Sequence, residues 1–237
     1  MKLKYKIVEV ISISELQKQE MFKLMEFHYV NVSWDDFIKD LNEKQWVILL
    51  FSKDNTLVGF STQLVIIPEI NSPFNNCIVL YSGDTIIAHE YWGSITLPVA
   101  FLQLVSIIKN EYPDKKMYWM LISKGLRTYK FLSVFFNEYY PKYSSQTPNF
   151  IKELMHYTGV KKFGTRYNFE KGIIEAQTNG QFLKQIYQPD AKTENEVSLF
   201  FHSSNPGYYK GDELLCMAEL EDSNLHPYIK RIVKNHV

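Results

Sequence analysis

Thr85-Ile86-Ile87-Ala88-His89-Glu90-Tyr91-Trp92-Gly93-Ser94 reads as a short extended piece that ends in a turn and opens onto a periodic apolar segment, Pro98 to Ile108. A strand that runs directly into a helix N-terminus leaves backbone amides pointing outward, where an anionic group is welcome. Upstream, Trp46 to Phe51 and Leu57 to Ile67 are two apolar runs joined by Lys53-Asp54-Asn55-Thr56, a composition that predicts a hairpin. A third run, Cys77 to Tyr81, meets the polar break Ser82-Gly83-Asp84 just before Thr85.

Further out, the β-branched stretch Tyr5 to Ile11 favours an extended strand. Ser14 with Gln17, or Ser12 with Glu15, has the spacing of a capping box ahead of the periodic segment Leu16 to Tyr29. Ser33 and Asp36 mark a second helix start, with Phe37, Ile38 and Leu41 on one side. After the Pro98 helix, whose packed face is Phe101, Leu102, Val105 and Ile108, Tyr112-Pro113-Asp114 breaks the chain. Met117 to Ile122 then suits a central strand bounded by Ser123-Lys124-Gly125, and Leu126 to Asn137 a largely buried helix. Up to Tyr140 the expected order is β, α, α, β, β, β, α, β, α.

Beyond Pro141 the pattern is less regular. Lys142 to Pro148 reads as a loop, Asn149 to Tyr157 as a helix ending at Gly159, and Tyr167 to Ala176 as extended structure around Gly172. Phe182 to Ile186 adds a short piece. Glu196 to His202 reads as a strand, Asn205-Pro206-Gly207 as a turn, and Leu214 to Leu220 as the hairpin partner of that strand. The organisation expected is a core, residues 1–140, with a helix-plus-hairpin extension, residues 141–237, packed on it. The extension could cover a cleft, add strands to the sheet or supply a homodimer contact.

Composition bounds the function. With 46% hydrophobic and 15% aromatic residues, the 237-residue chain can bury a substantial core. Lys plus Arg and Asp plus Glu both total 26, so no bulk charge argues for a nucleic acid or an anionic membrane as partner. No segment approaches the roughly 20 apolar residues of a bilayer span, and no apolar h-region follows Met1-Lys-Leu-Lys, which makes the cytoplasm the default location. Cys77 and Cys216 sit inside apolar runs and read as reduced, buried thiols. His156, His202 and His226 have no ligand spacing, so no metal is expected. Glycine-rich nucleotide loops and nucleophile elbows are absent from the sequence.

The element order and its punctuation over approximately residues 1–140 resemble the GNAT superfamily of N-acetyltransferases. Ser82-Gly83-Asp84-Thr85-Ile86, Tyr91-Trp92-Gly93-Ser94 and Leu126-Arg127-Thr128-Tyr129-Lys130-Phe131-Leu132 look like strings of bacterial GNAT-like proteins of no assigned substrate. The resemblance implies an α/β (α+β) fold with a mixed, mostly antiparallel sheet flanked by helices. It also implies an acetyl-CoA or other acyl-CoA co-substrate, with pantetheine along the strand at Ile86 and Ile87 and pyrophosphate on the loop at Trp92, Gly93 and Ser94. Of the glycine pattern usual in that loop only Gly93 is kept, and the bulky Trp92 and Ile95 leave less room for the amides to wrap a pyrophosphate. A donor carried by acyl carrier protein, as in related N-acyl synthases, depends less on that loop.

Acyl transfer from a thioester to an amine needs a base for the amine proton, an acid for the leaving thiolate and a donor for the oxyanion. The resemblance places Tyr129 where the acid often stands, and a core role among Leu126, Leu132 and Phe136 is the alternative. Glu90 and His89, at the mouth of the loop, are candidate bases, directly or through water, or else plain turn residues. Asp84 could hold a small amine substrate or cap its turn. Lys124 and Arg127 could meet a phosphate or remain solvated. The reading that results is an N-acyltransferase with an acyl thioester donor; the competing class is a binding or interaction module that keeps the fold without turnover.

Overall fold

The computed structural model describes residues 3–177, 180–184 and 195–234. Among these residues, β1 (Lys4–Glu9), β2 (Tyr29–Val30), β3 (Trp46–Phe51), β4 (Leu57–Ile66) and β5 (Cys77–Ile87) lead to β6 (Lys116–Ser123), β7 (Tyr167–Asn168), β8 (Ile173–Ile174), β9 (Phe182–Leu183) and β10 (Glu213–Glu219). The helices are α1 (Glu15–His28), α2 (Trp34–Asn42), α3 (Thr96–Glu111), α4 (Leu126–Phe135), α5 (Asn149–Phe163), α6 (Glu196–Ser204) and α7 (Pro227–Lys234). Eight strands form one open sheet in the order β1-β3-β4-β5-β6-β10-β8-β7, and β2 pairs with β9 apart from it. Every pair in the large sheet is antiparallel except β5 with β6. This is the mixed, mostly antiparallel sheet flanked by helices that the sequence led us to expect.

Local chemistry explains the elements. Ser14 caps α1 in a reciprocal capping box with Gln17, and Ser33 accepts the Asp36 amide at the start of α2. The β3–β4 hairpin turns on Asn55, whose φ of 61° lies in the left-handed region that asparagine tolerates. The central strands are apolar on both faces because helices cover both. Ile48, Leu50, Ile78, Leu80 and Leu214 pack under α3, α4, α6 and α7. On the opposite face Val47, Leu49 and Phe60 meet α1 and α2, while Tyr118, Met120, Leu215 and Met217 meet α5. Two helical layers therefore flank β5 on that second face, and the gap between them lies at the centre of the sheet.

Four expectations are overturned. Ser82-Gly83-Asp84 is no break: β5 is continuous, and the polar residues form a bulge. Gln63 pairs with Ser82 and Ser61 with Thr85, so Gly83 and Asp84 together oppose Thr62. Gly159 does not end α5; it is glycine because a Cβ there would lie 2.9 Å from the Tyr167 ring, and the helix runs on to Phe163 before Gly164 at φ 57° stops it. Glu196 to His202 is helical, begun by a reciprocal cap between Asn195 and Ser198. In consequence the expected hairpin does not exist, and β10 lies between β6 and β8 in the main sheet. Ile186, in the expected piece from Phe182, lies outside the described residues.

Candidate functional site

The parallel pairing of β5 and β6 begins at Cys77 with Lys116 and stops at Ser82 with Leu121. Beyond that point β5 follows β4 to Ile87 while β6 follows β10 to Ser123. The bulge at Gly83 and Asp84 sits at the fork, where the extra residue increases local twist and turns β5 aside. Between the diverging strands lies a cleft of about 670 Å³ that continues to both faces of the sheet.

A chain of side-chain hydrogen bonds closes the floor of the fork. Trp119 Nε1 donates to Ser82 Oγ (2.8 Å), Ser82 Oγ to Gln63 Oε1 (2.7 Å), and Gln63 Nε2 to Ser61 Oγ (2.7 Å). Ser61 Oγ and Thr85 Oγ1 lie 2.7 Å apart, and Thr85 Oγ1 donates to Gly83 O. Three buried polar residues on central strands, Ser61, Gln63 and Ser82, are thereby satisfied without solvent.

The cleft has two chemically different ends. Toward α1 and α2 it is lined by Asp36, Asp40, Asp84 and Glu213, with Lys124 and Arg166. Asp84 is partly buried, and its carboxyl is pushed up to about 6, first by burial and then by the neighbouring Asp40, against the pull of Lys44 and Lys124. Burial alone would raise Asp40 as well, but Lys44 (2.5 Å) and Lys162 (3.4 Å) hold its carboxyl below the usual range. Lys162 also pairs with Glu43, so α5 is tied to α2 across the cleft. Two nearby carboxyls whose proton affinities are pushed apart in this way are a common signature of acid–base chemistry. Lys124 Nζ lies 3.6 Å from Glu213 and 5.3 Å from the centre of the Tyr29 ring. Burial, followed by the charges of Asp84 and Glu213, raises the Tyr29 phenol far above its usual range, so it stays protonated at neutral pH.

At the loop before α3, Gly93 has φ 85° and an open Cβ position. The amides of Trp92 and Ser94 are bonded to His89 O and Tyr91 O, each at 3.1 Å, and that of Thr96 to Ser94 Oγ at 3.3 Å. Pro98 has no amide hydrogen to offer. Trp92 Nε1 reaches back to Ile87 O (2.8 Å), and the Arg127 guanidinium stacks 3.4 Å over its ring. Three amides of the loop, those of Trp92, Ser94 and Thr96, are thus engaged within it, and an aromatic ring lies across the strand end.

The structure brings Asp84, Ile86, Ile87, Trp92, Gly93 and Ser94 together on the wall of this one cleft. His89 and Glu90 stand exposed on the turn His89–Tyr91, away from the cleft lining. Tyr129 does not face the cleft: it is fully buried beside Tyr139, Phe200 and Phe201, and its hydroxyl donates to Pro141 O at 2.8 Å. Of the two readings of Tyr129, this placement corresponds to the core role among Leu126, Leu132 and Phe136. Sequence reasoning missed Asp40, Glu213 and Arg166. Asp40 and Lys44 have the i, i+4 spacing of a helical ion pair, a signal present in the sequence. Nothing local marks Glu213 or Arg166, which the sheet brings in from far along the chain.

No protein-family model matches this chain, and no curated protein matches it in sequence. Among solved structures it is similar to Escherichia coli ElaA, with 16% identity over 60% of this chain and 93% of that one, at a TM-score of 0.37. It is similar to Arabidopsis thaliana NAA60, solved with a bisubstrate analogue, with 14% identity over 58% of this chain and 86% of that one, at a TM-score of 0.38. A third is the aminoglycoside 6'-N-acetyltransferase AAC(6')-Ih from Acinetobacter baumannii, with 12% identity over 65% of this chain and 88% of that one, at a TM-score of 0.37.

Proposed function

We propose that this protein is an N-acyltransferase that moves an acyl group from a thioester to a small amine. The observation that supports this reading most is the fork between β5 and β6, which opens a passage between a largely apolar chamber and an acidic one. Two substrates of opposite character can meet there from opposite faces, with the thioester carbonyl at the fork and the amine among the carboxylates. Asp84, rather than His89 or Glu90, is the base in this reading. Its carboxylate takes a proton from the amine as nitrogen attacks the carbonyl; the C–N bond forms, the C–S bond breaks, and the thiolate leaves to be protonated by solvent. Burial, reinforced by Asp40, which Lys44 and Lys162 keep ionised, holds Asp84 in the range where a carboxyl is both deprotonated at neutral pH and basic enough to work.

Acyl-CoA and acyl carrier protein share the reacting thioester and the pantetheine arm, so both belong in the test. Thiol release is followed with acetyl-CoA, longer acyl-CoAs and acyl carrier protein against a panel of small amines. Amine-dependent release is expected, and Asp84→Asn is expected to slow it by about 10²–10⁴-fold, the usual weight of a positioned base. Absence of amine-dependent release from every donor would refute the reading, and would leave a ligand-binding or interaction protein as the alternative.

A further inference from the structure

Resting on the acyltransferase reading, we infer that the acceptor is an amino acid, an amine that also carries a carboxylate, and that Arg166 holds this carboxylate while Asp84 takes the amine proton. Most charges at the acidic end of the cleft are matched within the protein. Asp40 is paired with Lys44 and Lys162, and Glu213 with Lys124. Asp36 stands exposed in the first turn of α2. Among the described residues, Asp84 is left without an ion pair and Arg166 without a carboxylate, although both border the cleft. An amino acid brings the complementary set, an amine for the one and a carboxylate for the other.

Arg166 is also held ready for that role. It ends the short turn Gly164–Arg166 that follows α5, one step beyond the Tyr167 and Ile174 pair of β7 and β8. Its carbonyl accepts the Glu175 amide (2.8 Å), and its Nε donates to Glu175 O (3.1 Å), so backbone and side chain are fixed by the same residue. Both Nη groups have no hydrogen-bond partner among the described residues. A guanidinium fork open at that end receives a carboxylate through two parallel hydrogen bonds. Burial first, then Asp40, Glu213 and Asp84, raise the Tyr81 phenol, and Arg166 opposes them, so Arg166 and Asp84 act on one shared neighbour.

Thiol release by the full chain tests this with glycine, β-alanine, γ-aminobutyrate and phenylalanine. Each is compared with its counterpart lacking the carboxylate: methylamine, ethylamine, propylamine and phenethylamine. At least one acid should exceed its counterpart by about 10- to 100-fold in kcat/KM, the weight of a charge-assisted pair. Arg166→Gln should erase that preference through KM rather than kcat. If this variant does not fold, phenylalaninol against phenylalanine on the unaltered protein isolates the carboxylate in the same way. Release that is equal for acids and counterparts, or a preference kept in folded Arg166→Gln, would overturn the amino-acid assignment and leave the acyltransferase reading intact. Absence of release with every amine, acid or not, would overturn both.

Discussion

Asp84→Asn should make this protein more stable at neutral pH, and the size of the gain follows from the site. The Asp84 carboxyl is raised from an ordinary 3.8 to about 6 by burial and by Asp40. A group raised on folding favours the native state below its unfolded value and loses that contribution as pH climbs to its folded value. Stability attributable to Asp84 therefore falls between pH 3.8 and about 6, by about 1.4 kcal/mol per pH unit and about 3 kcal/mol in all, and stays level above. Asparagine has the same shape and no charge, so the variant escapes this loss. Asp40 titrates with the opposite sign, but it is present in both proteins and largely cancels in the comparison. Urea denaturation of the two proteins from pH 4 to pH 8 measures the difference, which should widen up to about pH 6 and then hold. In heat the neutral-pH gain corresponds to roughly 6–12 °C for a chain of this size. Parallel stability profiles over the whole range would refute the reasoning, because they would mean that Asp84 ionises as though in water.

Two further substitutions probe the frame around that carboxyl. Gly83→Ala would place a Cβ 2.7 Å from both Lys44 Cε and Thr62 Oγ1; since Lys44 is buried and bound to Asp40, a loss of about 1–3 kcal/mol is expected in urea, and an unchanged midpoint would show that the bulge relaxes freely. Tyr129→Phe removes the donor to Pro141 O and should cost about 0.5–1.5 kcal/mol while sparing turnover; a folded variant with turnover reduced a hundredfold would restore Tyr129 as the acid.

Much of the fold was legible because its signals are local. The Ser14 and Gln17 cap, the Asn55 turn and the doubly apolar strands speak for themselves within a few residues. Where the sequence misled, a long-range partner had changed the meaning of a residue. Gly159 resembles a helix stop until Tyr167 is seen lying across it. Gly83 resembles a break until Thr62 and Lys44 are found opposite, and Val197, Leu199, Phe200 and Phe201 resemble a strand unless the Asn195 and Ser198 cap is given priority. The site divides the same way. Asp84, Ile86, Ile87, Trp92, Gly93 and Ser94 are near neighbours in the chain and could be gathered from it. Glu213 and Arg166 reach the cleft only through the packing of the later segment, and helical period alone could not say that Tyr129 turns inward.

The chain of hydrogen bonds from Trp119 to Gly83 has a direction. The indole nitrogen donates to Ser82, Ser82 donates to Gln63 Oε1 and Gln63 Nε2 donates to Ser61, while between Ser61 and Thr85 either hydroxyl can be the donor. The dipoles on the floor of the fork run one way from Trp119 as far as Ser61. A substrate arriving there meets polar atoms already committed to one another, a surface that is polar in composition and inert in behaviour. Chemical appetite at the fork is left to Asp84.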